Sequence, residues 1–251
     1  MSALGRRSIN QAFRRPQFLA PVLLFPSLFL AVNTGGAGAA VNLPGFPEVN
    51  GFLDFELGAA MVQSTLLAGL SGGIALALDI EMGFTDRLFA APVPRSAVVL
   101  GRFVATAALG LLTVAWFIAV GLIFGARIES GIPGVLLLVV MVPLAALAFG
   151  TIGAALALRS GQASVVQGLF PIVFVILFLS SAFFPDSLMK EPAGTVARYN
   201  PISFIAEGVR NPIIASLDAG EIAKGFAGIA IIGGVGSLLS ALALRGRLRA
   251  G

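Results

Sequence analysis

The chain has 251 residues, of which 57% are hydrophobic and 11% charged, with a formal net charge of +4. A soluble domain is usually about 25% charged, so this composition suits a chain whose surroundings are mostly lipid. Cysteine and histidine are absent, which excludes disulfides, thiolate nucleophiles, Cys/His zinc sites, Ser-His-Asp catalysis and histidine relays.

The carboxylates are too scattered to suggest an all-carboxylate metal site, and no residue is assigned a catalytic role. Residues 1–17 place Arg6, Arg7, Arg14 and Arg15 around Ile9, Ala12 and Phe13. Ile9 and Phe13 share a helix face, so the stretch reads as an interfacial helix whose arginines anchor it to lipid phosphates. Membrane anchoring accounts for the basic excess better than a nucleic-acid partner does. A signal peptide is the competing reading. It fits less well because the next apolar run has no small-residue cleavage site close behind it, although AGAA stands at 37–40.

Six apolar runs follow, at about 18–34, 55–78, 97–124, 132–158, 165–184 and 225–244, with ends uncertain by ~2–4 residues. Their length and lack of period-2 alternation predict helices rather than a membrane barrel. With both termini in the cytoplasm, the inside carries Arg6, Arg7, Arg14, Arg15, Arg87, Arg95, Arg102, Arg159, Arg245, Arg247 and Arg249. The outside carries Arg127, Lys190, Arg198, Arg210 and Lys224. That bias sets the orientation, and an even number of spans agrees with it. The fold class is therefore an all-α integral membrane protein. It has six transmembrane helices and an N-terminal interfacial helix, with a further helix in the cytoplasmic loop after the second span and an external segment before the last span that tucks back toward the membrane. All of residues 1–251 form one domain.

Polar residues inside the runs are few. Gln63, Ser64 and Thr65 lie in the second; Gln167, Ser180 and Ser181 lie in the fifth. Such groups face protein or a cavity. They read either as helix–helix hydrogen bonds or as the lining of a substrate route. Asp54, Glu56 and Glu207 fall at or beyond the outer edge. In the external segment 185–224, Ile202, Phe204, Ile205 and Val209 are spaced for a short amphipathic helix flanked by Pro201 and Pro212.

The loop between the second and third runs faces the cytoplasm and reads EMGFTDRLFAAPVPR over 81–95. From Asp79 to Ala91 only the mild cost of Gly83 opposes a helix. On such a helix Ile80, Phe84, Leu88 and Ala91 form one apolar stripe; Met82 and Phe89 form a second, nearly opposite Ile80. A second stripe needs a second cover. Pro92 and Pro94 then end the helix. The alternatives are a knob that meets a soluble partner and an interfacial loop that only fixes topology.

The stretch DIEMGFTDRLFAAPVPRSAVVLGRF, 79–103, resembles the coupling segment of ABC-2-type transporter permeases, most of all the daunorubicin-resistance-like drug and lipid exporters. Asp79, Gly83, Asp86, Arg87, Pro92, Arg95, Gly101 and Arg102 carry the likeness. PIVFVILFLSSAFFP from Pro171 and YNPISFIAEGVR from Tyr199 resemble the family's fifth span and external hairpin. Ser180-Ser181-Ala182 departs from the Ser-Gly pair of many relatives.

The resemblance makes the cytoplasmic helix a coupling helix and the external segment a re-entrant hairpin, and it implies a membrane subunit that pairs with a second permease, identical or related. Two copies of a separate ATPase then dock at 79–96 and bind the ATP and Mg. The residues that match the coupling segment, or stand within it, are Asp79, Glu81, Gly83, Phe84, Thr85, Asp86, Arg87, Leu88, Pro92 and Arg95. No cofactor is expected in this chain itself. Its only lysines, Lys190 and Lys224, follow no G-x-x-x-x-G pattern. A hydrophobic drug or lipid is the expected cargo, exported across a bacterial-type cytoplasmic membrane. Polysaccharide or other-cargo export, an ion-coupled carrier and a membrane scaffold are the alternatives.

Overall fold

The computed structural model describes residues 16–83 and 96–250, and among these every regular element is helical. In chain order they are α1 (Pro16–Ala37), α2 (Phe52–Glu81), α3 (Ser96–Ile123), α4 (Gly131–Ser160), α5 (Ala163–Gln167), α6 (Phe170–Phe178), α7 (Ala193–Tyr199), α8 (Pro201–Ile214) and α9 (Ala219–Ala250). Short 3₁₀ turns follow α1 and precede α7. Helices α1, α2, α3, α4 and α9 are each long and apolar enough to cross a membrane. Leu24 and Leu28 of α1, Leu136 of α4, and Leu238 and Leu242 of α9 are more than half exposed. In water these faces would be costly; in hydrocarbon they cost nothing. This is the architecture of a multi-pass membrane protein.

The fifth apolar run departs from the single helix expected over 165–184. It forms two short helices, α5 and α6, separated at Gly168-Leu169. Pro171 has no N–H to offer the Gln167 carbonyl, and its ring crowds the preceding turn, so the helix breaks there. Helix α6 ends at Phe178, well short of Phe184. The last helix departs the other way: α9 starts at Ala219, six residues before the expected Gly225, and takes in Glu221 and Lys224.

Helix α2 is the centre of the bundle, buried almost throughout from Phe52 to Ile80. It packs on α1, α3 and α4, meets α8 at one end and meets α5 at the other. Glycines allow the closest of these contacts. A Cβ on Gly69 would stand 2.6 Å from the Gly150 nitrogen, and one on Gly73 would stand 2.6 Å from Gly153 Cα. Gly69 and Gly73 are four apart, so they form one small face on α2 that lets the α4 backbone approach. Helix α4 in turn packs on α9, and α9 on α8.

Between α6 and α8, α7 is tied at its start by Glu191. Its carboxylate accepts the Thr195 hydroxyl at 2.6 Å and the Thr195 N–H at 3.1 Å. These bonds hold the Glu191 carboxyl below its usual range. Helix α8 is the amphipathic helix predicted there: Ile202, Ile205 and Val209 are buried and Phe204 partly so. Pro201 occupies its first turn, and Pro212 lies inside the last turn rather than beyond it.

Candidate functional site

The residues singled out from the sequence fall at three levels along α2. At its C-terminal end Asp79 and Ile80 are buried parts of α2 itself, not of a separate helix. Glu81 is the last helical residue, and its carboxylate accepts the Ala163 N–H at 2.8 Å, which ties α2 to the start of α5. Gly83 has φ +64, the left-handed conformation in which a helix stops and which only glycine adopts freely. Its N–H closes on the Ile80 carbonyl at 2.9 Å. The uninterrupted helix expected from Asp79 to Ala91 is therefore corrected: α2 ends at Glu81 and the chain turns at Gly83. Phe84, Thr85, Asp86, Arg87, Leu88, Pro92 and Arg95 lie outside the described residues, as do Arg6, Arg7, Arg14 and Arg15.

At the middle level Ser64 and Thr65 are occupied by protein. The Ser64 hydroxyl donates to the Val22 carbonyl at 2.7 Å and lies 2.8 Å from the Thr113 hydroxyl, joining α1, α2 and α3. The Thr65 hydroxyl returns to its own helix at the Val62 carbonyl. Gln63 differs. It is fully buried, and neither atom of its amide has a hydrogen-bond partner among the described residues. A buried amide in that state costs about 1–3 kcal/mol, so Gln63 is the member of the trio with capacity left for a ligand or a partner.

At the N-terminal end of α2 the two serines of the fifth run belong to a joint. The Ser180 hydroxyl bonds the Leu177 carbonyl at 2.5 Å. The Ser181 hydroxyl donates to Glu207 at 2.6 Å, and the Ser181 N–H donates to the Ser203 hydroxyl at 2.9 Å. Asn200 does two things at once. Its side-chain oxygen accepts the Ile202 N–H, which caps α8, and its amide nitrogen donates to the Ile176 and Leu179 carbonyls, which caps α6.

Arg210 completes the joint. It is 4% exposed. Its Nε donates to the Phe55 carbonyl at 3.2 Å and its Nη2 to the Ser181 carbonyl at 3.1 Å; the Ala182 carbonyl also accepts from Nη2. The guanidinium carbon stands 3.7 Å from the centre of the Phe55 ring, a cation–π contact. Glu56, 1% exposed, accepts from Asn33 at 2.7 Å on the α1 side.

Sequence reasoning missed Asn200, Glu207 and Arg210 as site residues and counted Arg210 only among the outside charges. The signal was present: Asn200, Ser203, Glu207 and Arg210 recur at steps of three and four, one polar stripe on a short helix. Glu56 and Glu207, placed at or beyond the outer edge, are held inside this joint. Among the described residues no group of three or more His, Cys, Asp or Glu side chains is placed to hold a metal.

Comparison with known proteins agrees with this architecture. The ABC-2 type transporter family matches residues 1–214, and the chain belongs to that family. It is 25% identical over 213 residues to the ycf38 transport permease of Porphyra purpurea, covering 84% of this chain and 72% of that protein. It is 26% identical over 199 residues to the daunorubicin resistance ABC transporter permease DrrB1 of Streptomyces coeruleorubidus, covering 78% and 68%. A doxorubicin resistance ABC permease, DrrC of Mycobacterium tuberculosis, is 25% identical over 154 residues, 61% of this chain and 54% of that one.

Proposed function

We propose that this member of the ABC-2 type transporter family is the membrane subunit of an ATP-driven exporter of drug-like or lipid substrates. It lies in a bacterial-type cytoplasmic membrane with both termini inside, and Ala163 to Phe178 and the turn after it serve as a sixth, broken span. The excess of arginine on one side supports that orientation. Two copies of a separate ATPase bind the ATP and Mg, and a second permease, identical or related, completes the complex. No cofactor is held by this chain.

Residues 79–96 are the docking segment, with Asp79, Glu81, Gly83, Phe84, Thr85, Asp86, Arg87, Leu88, Pro92 and Arg95 as its working residues. Arg6, Arg7, Arg14 and Arg15 anchor the start of the chain in the cytoplasmic leaflet. Residues 185–224 form the external hairpin. One observation carries the reading. The docking segment begins on the end of α2, an unbroken 30-residue helix without proline, bonded to α5 at Glu81 and to the external segment at Phe55. A push at one end of such a rod moves the other end, because it has no proline kink to absorb the displacement. Of the polar residues along the route, Gln63 is the best placed to meet substrate; Ser64, Thr65, Ser180 and Ser181 shape the wall through bonds to protein.

The test is co-expression with an ATPase subunit and reconstitution into vesicles, with doxorubicin as the probe because relatives carry its name. The ATPase is expected to co-purify, to be stimulated by the probe and to drive its transport. Arg87→Ala and Glu81→Ala are expected to hydrolyse ATP with little transport. Normal transport in both, with normal ATPase binding, sinks the docking assignment.

A further inference from the structure

Arg210 is a cation inside the protein. A buried charge costs several kcal/mol unless it is well paired, and this one forms no direct ion pair among the described residues. Its bonds go to backbone carbonyls of two other elements: Phe55 at the start of α2, and Ser181 and Ala182 in the turn after α6. Glu56 and Glu207 lie near enough to interact with it electrostatically, each held by a neutral donor, Asn33 or Ser181.

The backbones are shaped to admit this contact. A Cβ on Gly58 would stand 2.9 Å from Arg210 Cβ, so α8 lies against α2 only because residue 58 is glycine. Three elements that are far apart in sequence thus meet on one side chain. A guanidinium held by carbonyls and a ring face keeps a defined geometry, yet it can part without leaving a directly paired carboxylate stranded. Apolar packing alone would not supply that combination.

We propose that Arg210 is a positioning residue, the pin of an outer lock that holds the external segment and the turn after α6 against α2, and that the lock opens during export. The inference rests on the reading of the chain as an ATP-driven permease. It adds the place at which movement of α2 reaches the outer side. Glu81 marks the driven end of that helix, and Phe55 marks the locked end.

The chain contains no cysteine, so one introduced thiol is the single site at which the label can join the permease band. Ala182 is fully buried, and Ala182→Cys places the probe beside the pin. In vesicles holding the A182C permease with its ATPase, a membrane-impermeant maleimide added from outside is expected to leave that thiol unlabelled at rest. Labelling should rise during MgATP hydrolysis with doxorubicin present. In the A182C/R210M chain it should rise about tenfold or more at rest, as loss of a charge-assisted bond set predicts. R210K, which keeps the charge but not the fork, should fall between. The MgATP arm needs no Arg210 variant, so it decides the matter if R210M fails to fold. Labelling that stays absent throughout MgATP-driven transport overturns the lock and leaves the permease reading standing. Loss of ATP-dependent transport in the wild-type complex overturns the permease reading, and the lock with it.

Discussion

The hydroxyl of Ser64 donates to the carbonyl oxygen of Val22 at 2.7 Å. That carbonyl is the one which Pro26, four residues on, leaves without a helical N–H. The carbonyl freed by a proline inside α1 is thus satisfied from α2, as a buried backbone group away from water requires.

Ser64→Ala should therefore cost about 1 kcal/mol of stability. Pro26→Ala supplies the missing amide to Val22, so Ser64→Ala should cost less in that background. Unfolding titrations of the two single variants and the double variant in mixed micelles measure the coupling. Strictly additive losses would show that the bond does not serve the proline.

The contact of α2 with α4 at Gly69 leaves no room for a methyl group. Gly69→Ala is expected to destabilise by about 1–3 kcal/mol, since the clash is with backbone and cannot be relieved by a rotamer. Gly234, on the same kind of helix, has nothing within 4 Å of its would-be Cβ. Gly234→Ala should be neutral or stabilise by up to ~1 kcal/mol. Thermal melts of the two variants side by side should separate them clearly.

Asn200 serves two helices, so its substitutions should rank by which bond they lose. Asn200→Ala loses both caps and should cost about 1–3 kcal/mol. Asn200→Asp keeps an acceptor for the Ile202 N–H but turns a carboxylate toward the Ile176 and Leu179 carbonyls. It is expected to be worse than Asn200→Ala. Equal stability of the two would mean that the α6 cap contributes nothing.

Gln63→Leu removes a buried amide that has no partner among the described residues. Stability should hold or rise by about 1–2 kcal/mol, while transport of the probe should fall. A drop in stability would reveal a structural partner for the amide; unchanged transport would take Gln63 off the route.

Glu191 gives a prediction with pH. Its folded pKa is depressed, first by the Thr195 hydroxyl, so its contribution to holding α7 is present above the unfolded value. That contribution is lost as pH falls through the folded one. Opening of the Thr195 amide, measured by hydrogen exchange relative to Glu191→Gln, should increase on acidification in the native chain only. The same dependence in both chains would rule out the Glu191 bond as its cause.

Most of the membrane helices were legible along the chain, because lipid accepts few structures and long apolar runs without charge have little choice. The amphipathic α8 was legible too, through the spacing of Ile202, Ile205 and Val209, and so was the family, through the order and spacing of its motifs. The pairings were not. Ser64 could not be assigned to Val22 until α1 and α2 were placed side by side. Gly69 could not be matched to Gly150 without a helix crossing. The stop at Gly83 depends on one backbone angle that both helix and turn were free to compete for. Arg210 reads only as one of the outside charges, since burial of a cation depends on acceptors brought from Phe55, Ser181 and Ala182, 155, 29 and 28 residues away. Local periodicity is written along the chain; the partners that satisfy a buried polar group are supplied by whatever the fold sets beside it.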